Sequence, residues 1–321
     1  MIRYRPFLNS DPPAIAEIWC SQPPSCGVMQ PMTPGLLDQL VLAKPYFERR
    51  GLIVAEDHGR PIGFAHAGFA PNEKGSDLNR DLGITCLLMV APHPKQTETV
   101  AQLLTLSEQY LAEGGSRLLY GGSCDERGPF YLGLYGGSGA PGILASDAIQ
   151  LDVYRSAGYE EVHRTRILQR ELAGFRPLVD RRIIQLKREL QLDASAGSLP
   201  ATWWDACSLG QIDRTDFTLT PRNGGEPWGI AYFWDVEPMA SSWGVHAMGL
   251  LHITIDEDKH SEHERAQLTM YLLSESIRQL QSCGVTLVEV QVHDGDELLG
   301  DICQRLGFRE VNHGIRFCKP C

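Results

Sequence analysis

Two stretches of the chain, VYRSAGYEEV at residues 153–162 and ICQRLGFREV at residues 302–311, share one pattern. In each, an apolar residue precedes Tyr or Cys, a polar spacer leads to Gly and an aromatic residue, and a charged pair and Val follow. Glycine directly after a short helical run is typical of a helix end, and the residues beyond it favour a strand. The chain therefore carries one helix–turn–strand ending twice, which indicates an internal duplication.

The repeat extends upstream of these stretches. Each half reads in the same order: a hairpin, an apolar strand, a long helix, a second strand, a short helix and the closing strand. This order predicts an α/β (α+β) fold in which each half is a mixed, twisted sheet flanked by helices. In the first and second halves, respectively, the hairpin covers residues 51–71 and 216–238, the apolar strand 83–90 and 248–255, and the long helix 99–115 and 265–284.

The halves differ at their starts. The first has a helical N-terminal region, whereas the second enters its hairpin after a short segment and is therefore N-terminally shortened. Between them, apolar residues at helical spacing predict a linker helix, and the Ser, Gly and Ala residues at 193–198 predict a boundary. The predicted domains are residues 1–172 and 199–321, joined by residues 173–198.

Composition excludes several classes of function. The chain has 321 residues and a formal net charge of −11, which argues against a general nucleic-acid binder because phosphate binding needs clustered Lys and Arg. There is no apolar run long enough for a membrane helix, and the N-terminal residues lack the apolar core of a signal peptide. Nine scattered cysteines favour free thiols in a reducing compartment, so we expect a cytoplasmic protein without nucleic-acid or membrane partners.

The closing stretches, together with CLLMVAPHPKQTETVAQLL at residues 86–104, resemble the GNAT acetyltransferase superfamily in a tandem arrangement. The resemblance implies that acetyl-CoA lies between two splayed strands, with its pyrophosphate at the start of the long helix. Unpaired amides and the positive helix end favour an anion there. The cofactor-binding residues that the resemblance implies are Met89, Val90, Lys95, Gln96, Thr97, Glu98, Thr99, Val100 and Asp147.

Both halves depart from the family's pyrophosphate loop. In the first, Glu98 and Val100 stand where the family has glycine and a second small residue, although Lys95 keeps a cation. In the second, the loop DEDKHSEHERAQL at residues 256–268 is strongly acidic, so only the first half is expected to bind acyl-CoA. Within that loop HSEHE is not a metal motif, since Ser261 is expected to cap a helix, and no metal site is predicted.

Tyr154 matches the family position whose tyrosine protonates the departing thiolate, a general-acid role. Its counterpart Cys303 is a weak hydrogen-bond donor. The resemblance implies an N-acyltransferase that joins an acyl group to an amine of a small molecule or peptide, by direct attack and a tetrahedral intermediate whose oxyanion meets a strand amide near Val90. The alternatives are a Tyr154 ring that packs in the core and a non-catalytic pseudo-acetyltransferase that acts as a scaffold.

A glycine-rich segment at residues 120–147 replaces a short connection, and long loops at strand ends often carry function. Its aromatic residues could line an acceptor pocket with an acidic mouth that favours a cationic amine. Packing of this loop on the second half is the alternative. The chain is expected to be a monomer with internally paired halves, or a homodimer. The candidate pocket residues are Asp125, Glu126, Phe130, Tyr131 and Tyr135.

Overall fold

A computed structural model of the chain describes residues 1–123, 128–197 and 199–321. Both predicted sets of elements are present and follow the predicted order. The strands are β1 (Ile2–Pro6), β2 (Leu52–Asp57), β3 (Arg60–Pro71), β4 (Leu78–Val90), β5 (Leu118–Gly121), β6 (Ile143–Leu144), β7 (Glu160–Glu171), β8 (Leu190–Ala196), β9 (Arg214–Pro221), β10 (Gly229–Asp235), β11 (Ala247–Ile255), β12 (Leu287–His293) and β13 (Arg309–Pro320).

Helices follow the strands as the sequence pattern predicts. Across the described ranges, no helix combines the length and the apolar character needed to cross a membrane. The α-helices are α1 (Pro12–Cys20), α2 (Pro34–Leu37), α3 (Gln96–Glu113), α4 (Ala148–Ser156), α5 (Arg181–Glu189), α6 (Trp203–Ser208), α7 (Glu237–Trp243), α8 (Glu262–Ser282) and α9 (Glu297–Arg305), with a π-helical turn at Asp38–Leu42 and a 3₁₀ turn at Arg49–Gly51.

The chain folds into two compact units. Unit 1 contains Met1–Thr165, Pro200–Gln211 and Asn312–Cys321, and unit 2 contains Arg166–Leu199 and Ile212–Val311. Two of the four boundaries between the units, after Thr165 and before Asn312, fall within β7 and β13. These are the two closing strands that follow the repeated stretches. The predicted division at residues 172 and 198 stays a prediction.

Unit 1 is built on a mixed sheet. Its strands lie in the order β1, β2, β3, β4, β5 and the unit-1 part of β13, which also pairs with β6. Neighbouring strands are antiparallel except for the parallel pair β4 and β5. Helix α3 lays an apolar stripe of Val100, Leu103 and Leu104 on the sheet, among buried residues that include Leu88 and Ala65. Each such buried leucine contributes about 1.5–3 kcal/mol of transfer free energy.

Unit 2 repeats this arrangement. Its strands lie in the order of the unit-2 part of β7, then β12, β11, β10, β9 and β8, and only β11 and β12 are shown to be parallel. Helix α8 packs Leu272, Leu273 and Ile277 into a core with Phe217 and Phe233. The strand order and the long helix of unit 1 therefore recur with a different set of apolar side chains.

Strand β8 differs from the prediction. The predicted linker helix is present as α5, but the residues after it form a strand antiparallel to β9 rather than a boundary loop. Leu190 is buried in the core of unit 2 and Leu192 packs against that core, as expected for alternate residues of a strand. The small residues that follow them conceal this alternation in the sequence. Strand β8 pairs with β9 as β1 pairs with β2, so unit 2 keeps this edge strand and lacks helices of its own between β8 and β9 in the described residues.

Candidate active site

Strands β4 and β5 pair at one end only. Their last partners are Thr85 and Gly121, whereas β4 continues to Val90. A bulge at Cys86 directly follows the last pair, and bulges bend a strand and increase its twist. Residues 86–90 are buried. On the side of β4 that faces away from β3, no strand among the described residues pairs with them. The end of β4 is thus a buried edge that is free to pair with a ligand.

The register of β4 identifies the groups on this edge. Val90 lies opposite Gly63, and the amide of Ala91 donates to the carbonyl of Ile62 at 2.8 Å. Val90 is therefore in a non-hydrogen-bonded pair with β3, and its own N–H and C=O point to the open side. Because the pattern has period two, Leu88 presents its N–H and C=O to the same side.

Two glutamine side chains meet the open edge. The Nε2 of Gln96, in the first turn of α3, donates to the Val90 carbonyl at 2.9 Å, and the Nε2 of Gln22 donates to it at 3.3 Å. These bonds satisfy the carbonyl and leave the Val90 amide without an acceptor in the described part of the chain. A buried amide without an acceptor costs about 1–3 kcal/mol, so a ligand carbonyl at this position would be stabilised.

The start of α3 is open. Lys95 is the N-cap residue and offers no side-chain cap. Its amide donates to Nδ1 of His93 at 3.1 Å, and the amide of Thr99 donates to the Lys95 carbonyl at 2.9 Å. The amides of Thr97 and Glu98 have no acceptor among residues 1–123, 128–197 and 199–321. Free amides at the positive end of a helix attract anions.

The predicted loop residues occupy distinct environments around this helix start. Lys95, Thr97 and Glu98 are exposed, while Thr99 and Val100 are buried. Val100 packs into the core of unit 1, and no side chain caps the first turn. The two residues that replace the family's small residues therefore leave the first-turn amides uncapped.

Tyr154 lies where β4 and β5 separate. Its side chain is 1% exposed. The ring stacks on Phe317 at 5.5 Å, meets Tyr159 edge-on at 4.9 Å, and packs so closely on Gly121 that a Cβ there would lie 2.3 Å from the ring. Since Gly121 pairs with Thr85, the tyrosine is fixed beside the last pair of the two strands.

The Tyr154 hydroxyl belongs to a small buried polar cluster. Burial raises the pKa of Tyr154 well above its ordinary value, and a hydrogen bond with Thr85 partly offsets this. The Thr85 hydroxyl in turn bonds to that of Ser107 at 2.6 Å. The phenol therefore keeps its proton at neutral pH and can act as a hydrogen-bond or proton donor at the divergence of the strands.

Asp147 caps a helix. Its Oδ1 accepts a hydrogen bond from the amide of Gln150 at 3.2 Å, and its Oδ2 contacts the Gln150 side chain, so it forms the N-cap of α4. Burial raises the pKa of Asp147. This local geometry accounts for an acidic residue at this position, and its predicted contact with a cofactor stays a prediction.

The glycine-rich segment packs inside unit 1. Phe130, Tyr131 and Tyr135 are 3%, 3% and 7% exposed. The rings of Phe130 and Tyr131 are in contact, and the amide of Tyr135 donates to the Tyr131 carbonyl at 3.0 Å, while the Tyr135 hydroxyl accepts from the amide of Leu144 at 3.1 Å. The remaining two predicted pocket residues, Asp125 and Glu126, lie outside the described residues.

His66 on β3 is a site residue that the sequence reasoning missed. It is fully buried, and its ring lies 4.1 Å from that of Phe130. Its Nδ1 and the hydroxyl of Tyr131 are 2.9 Å apart, while Nε2 has no hydrogen-bond partner in the described structure. Burial lowers the pKa of His66 to about 3, so the ring is neutral. A lone histidine within the apolar run IGFAHAGFA was the available signal.

Tyr131 is held in an uncommon backbone conformation. Its φ of 71° is in the left-handed region, which costs a bulky residue about 1–3 kcal/mol unless its surroundings fix it. The contact with His66 and a ring contact with Trp19, at 5.8 Å between centroids, supply that constraint. Strain of this kind concentrates at ligand sites. Ala65 and Ala67 pack with the side chains of α3, so His66 between them lies on the opposite face of the sheet, together with Tyr131.

Strand β11 of unit 2 has the same divergence. Its parallel pairing with β12 ends at Leu250 and Val290, a bulge at Leu251 follows, and the strand continues to Ile255. In unit 2, however, residues 251–254 are exposed or half-buried rather than buried. The shared bulge shows that the two sheets are built alike, whereas the exposed edge has no buried groups that need a partner.

The start of α8 is closed. Ser261 accepts from the amide of Glu264, and the Glu264 carboxylate accepts from the amide of Ser261 at 3.0 Å, which forms a capping box. The predicted cap is thereby confirmed. Cys303 stands at the position of Tyr154 and is fully buried, and burial raises the pKa of its thiol to about 12. Unit 2 therefore lacks an open anion site and a hydroxyl donor at these two positions.

No protein-family model matches the sequence, and no curated protein does. Solved structures do. A tandem GNAT protein from the clavulanic acid biosynthesis pathway aligns with a TM-score of 0.64 and 11% identity over 100% of this chain and 98% of that chain. A GCN5-related N-acetyltransferase from Sphaerobacter thermophilus aligns with a TM-score of 0.61 and 12% identity, over 99% and 95%.

A third match is part of a longer protein. It is the GCN5-related glucosamine N-acetyltransferase region of a fungal multi-domain GH3 β-N-acetylglucosaminidase, with a TM-score of 0.71 and 15% identity over 99% of this chain and 38% of that one. At such identities the likeness concerns the fold. The divergent parallel strands, the bulges and the long helices of both units agree with it. The chain thus has the fold of the GNAT acetyltransferases in its tandem form.

Proposed function

We propose that unit 1 is an acyl-CoA-dependent N-acyltransferase, with acetyl-CoA as donor and an amine of a small molecule or peptide as acceptor. The scattered cysteines favour the cytoplasm as its location. The observation that carries the proposal is the place of Tyr154, whose ring packs on Gly121 opposite Thr85, where a buried, unpaired edge of β4 begins. This geometry unites a proton donor with a strand edge that can bind an extended ligand.

The donor site fits the residues that are present. The open N–H and C=O of Leu88 can pair with an amide group of a pantetheine arm, as one strand pairs with another, which leaves the Val90 N–H for the thioester. At the start of α3, the free amides of Thr97 and Glu98 can donate hydrogen bonds to a pyrophosphate, and the exposed Lys95 adds a positive charge. The Glu98 carboxylate opposes this binding, so we expect a weaker donor site than glycine would give.

An acyl-CoA supplies an acyl group already activated as a thioester. Within the chain, the Val90 amide would donate to the developing oxyanion, because it is buried and points to the open edge of β4. Tyr154 would donate its proton to the sulfur as the C–S bond breaks, since burial keeps its hydroxyl protonated. The two donors are held by β4 and α4, which are rigid elements of the core.

The acceptor amine would approach from the face of the sheet that carries His66 and Tyr131. Nε2 of neutral His66 has no hydrogen-bond partner in the described structure, and it can accept from an amine N–H when Nδ1 carries the ring proton. A pKa near 3 makes His66 too weak a base to deprotonate an ammonium ion. We therefore assign it an orienting role, and the amine would have to arrive neutral or lose its proton to water.

A second candidate function is a non-catalytic scaffold. It is favoured by the close packing of Phe130, Tyr131 and Tyr135, which fill the predicted acceptor side in the absence of a ligand. Under this alternative, Tyr154 is a core ring, and its stacking on Phe317 is its whole role.

Calorimetric titration of acetyl-CoA into the protein, repeated with Lys95→Glu, separates the two. The enzyme proposal expects one site of micromolar affinity that the variant loses, because the substitution reverses the charge at the open helix start. Arg117→Glu, an exposed cation away from this loop, is the matched control. No heat and no thermal stabilisation at millimolar acetyl-CoA would leave the scaffold function. A screen of amine acceptors for thiol release would follow a positive result.

A further inference from the structure

Unit 2 contains a cavity of about 220 Å³ at one end of its sheet. Its lining comes from β8, β9, the end of β10, the start of β11 and the last turn of α8. The lining is mostly apolar, with the buried side chains of Phe217, Met248, Leu280 and Val285. Small-molecule sites are also apolar with a few polar groups, but most enclose about 300–1,000 Å³, so this cavity suits a small ligand.

The cavity is not the counterpart of the candidate site in unit 1. That site lies at the start of the long helix, whereas Leu280 and Cys283 belong to the end of α8. A helix of 21 residues is about 30 Å long. The unit-1 site lies at the start of its long helix and the unit-2 cavity lies at the end of its own. The cavity is therefore not a copy of the unit-1 site made by the duplication.

Apart from one thiol, the ionisable side chains of the cavity are two carboxylates, one guanidinium and one imidazole. Asp213 and Asp235 both line it. The Arg214 guanidinium also lines it but is engaged by both oxygens of Asp216, at 2.7 and 3.0 Å, and lies 4.7 Å from the ring of Tyr232. Asp216 thus offsets the charge of Arg214 inside the sheet.

One carboxylate oxygen is left for a ligand. Oδ2 of Asp235 lies 3.3 Å from Nε2 of His246, while Oδ1 is shielded from solvent and makes no hydrogen bond within the described residues. A shielded acceptor without a donor is costly. Rotation of the Asp235 carboxylate would turn Oδ1 toward the cavity, where a bond from a ligand N–H would remove that cost. Within the described ranges no group of three or more His, Cys, Asp or Glu could hold a metal ion, which favours an organic donor.

The end of α8 points to the same charge preference. The C-terminal end of a helix carries partial negative charge and favours cations. The last turn of α8 has no basic residue to supply one, and Gln279, Leu280 and Cys283 bring this turn to the cavity. The helix end and the two carboxylates are separate sources of negative potential, and both act on the same cavity.

From the cavity, the unpaired Asp235 oxygen and the helix end, the geometry points to a second small-molecule site in unit 2, for an organic ammonium ion with an apolar body. The ammonium group lies at Asp235 and Asp213, and the apolar body lies on Met248, Leu280 and Val285. The site is separate from the acyltransfer site proposed for unit 1, and its ligand need not be the amine acceptor.

The probes are 2-phenylethylamine, which is an ammonium ion at neutral pH, the matched neutral 2-phenylethanol, and anionic 3-phenylpropanoate. Binding is followed by the ¹³C-methyl NMR signal of Met248 and by protection of Cys283 from N-ethylmaleimide, read by peptide mass spectrometry. No acyl-CoA is added, so the result does not depend on the activity of unit 1. We expect a saturable shift and protection with the amine, at least tenfold weaker binding of the alcohol, and none of the carboxylate.

Asp235→Asn and Asp213→Asn test the polar half of the site. Each is expected to weaken amine binding at least fivefold, whereas Asp258→Asn, which removes an exposed carboxylate near the start of α8, leaves it unchanged. Equal binding of the alcohol and the amine would overturn the charge assignment. Absence of a saturable Met248 shift and of Cys283 protection in the unmodified chain would overturn the site, whatever the stability of the variants.

Discussion

The starts of α3 and α8 occupy the same position in the two units but have different caps, since the cap backbone is extended at Ser261 (φ −63°, ψ 159°) and not at Lys95 (φ −110°, ψ 29°). In unit 2, Ser261 and Glu264 satisfy each other's amides. In unit 1, Glu98 stands at the same distance from the cap as Glu264, but the cap residue is Lys95, which has no oxygen to offer. A carboxylate in the first turn therefore does not close a helix start by itself, since the reciprocal hydroxyl is also required.

The second contrast is at the divergence of the strands. Both units place a buried side chain there, Tyr154 in one and Cys303 in the other. Only the tyrosine brings a hydroxyl to the parallel pair of strands, through Thr85. The edge beyond is buried in unit 1 and largely exposed in unit 2. We interpret unit 1 as the half with a ligand site at this position and unit 2 as the half without one.

The largest effect is expected from Tyr154→Phe. The ring keeps its stacking on Phe317, but the proton donor is lost. We expect kcat for acyl transfer to fall about a hundredfold with KM for acetyl-CoA nearly unchanged, as is usual for removal of a general acid. Steady-state assay of thiol release, with an acceptor found in the screen, measures this.

Tyr159→Phe is the matched control, because Tyr159 is equally buried and touches Tyr154. Equal losses in the two variants would mean that the hydroxyl of Tyr154 acts only through packing, and the contrast with Cys303 would lose its functional meaning.

Lys95→Ser converts the start of α3 into that of α8. The new serine and Glu98 are expected to form a capping box that occupies the free amides, and a positive charge is removed. We expect affinity for acetyl-CoA to fall at least tenfold while thermal stability rises slightly, by about 0.5–1 kcal/mol. Calorimetry and thermal unfolding measure the two effects.

The reverse change, Ser261→Lys, opens α8 and is expected to leave acetyl-CoA binding unaltered, because the neighbouring loop stays acidic. Tight binding by Lys95→Ser, or a second bound acetyl-CoA in Ser261→Lys, would show that the cap does not distinguish the units.

A smaller effect is expected from His66, whose place on β3 corresponds to that of Tyr232 on β10. The pKa of His66 falls from 6.5 to about 3 on burial. Below pH 6.5 the unfolded chain therefore takes up a proton that the folded chain does not, and stability falls as the pH falls. His66→Phe removes this loss, which amounts to about 1.4 kcal/mol at pH 5.5.

Denaturant unfolding at pH 7.5 and at pH 5.5 gives the change in unfolding free energy with pH for each protein. The unmodified chain is expected to lose more than His66→Phe. His263→Gln, an exposed histidine on α8, is the control. The same pH dependence in the unmodified chain and in His66→Phe would contradict the burial of a neutral His66.

The order of elements could be predicted from sequence because the closing motif and the hairpins are local patterns. Strand β8 could not, since Ser, Gly and Ala after Leu192 read as a boundary and only pairing with β9 makes them a strand. Sequence also could not decide whether Glu98 obstructs the helix start, because that depends on the conformation of its cap.

The site was only partly within reach of sequence reasoning. Tyr154 could be named as a candidate because the Gly-aromatic motif fixes its position four residues before Gly158, and its catalytic role stays a prediction. His66 was passed over because a lone histidine in an apolar strand carries no motif, and its partner Tyr131 is 65 residues away. The cavity of unit 2 collects residues from five elements and has no sequence signal of its own.

The most direct test of the account is the number of acetyl-CoA molecules bound per chain, measured by native mass spectrometry at increasing acetyl-CoA. We expect one, with at least tenfold more acetyl-CoA needed to reach the same occupancy in Lys95→Ser. No bound molecule in the unmodified chain would remove the donor site from unit 1, and two would show that the closed start of α8 does not exclude the donor from unit 2.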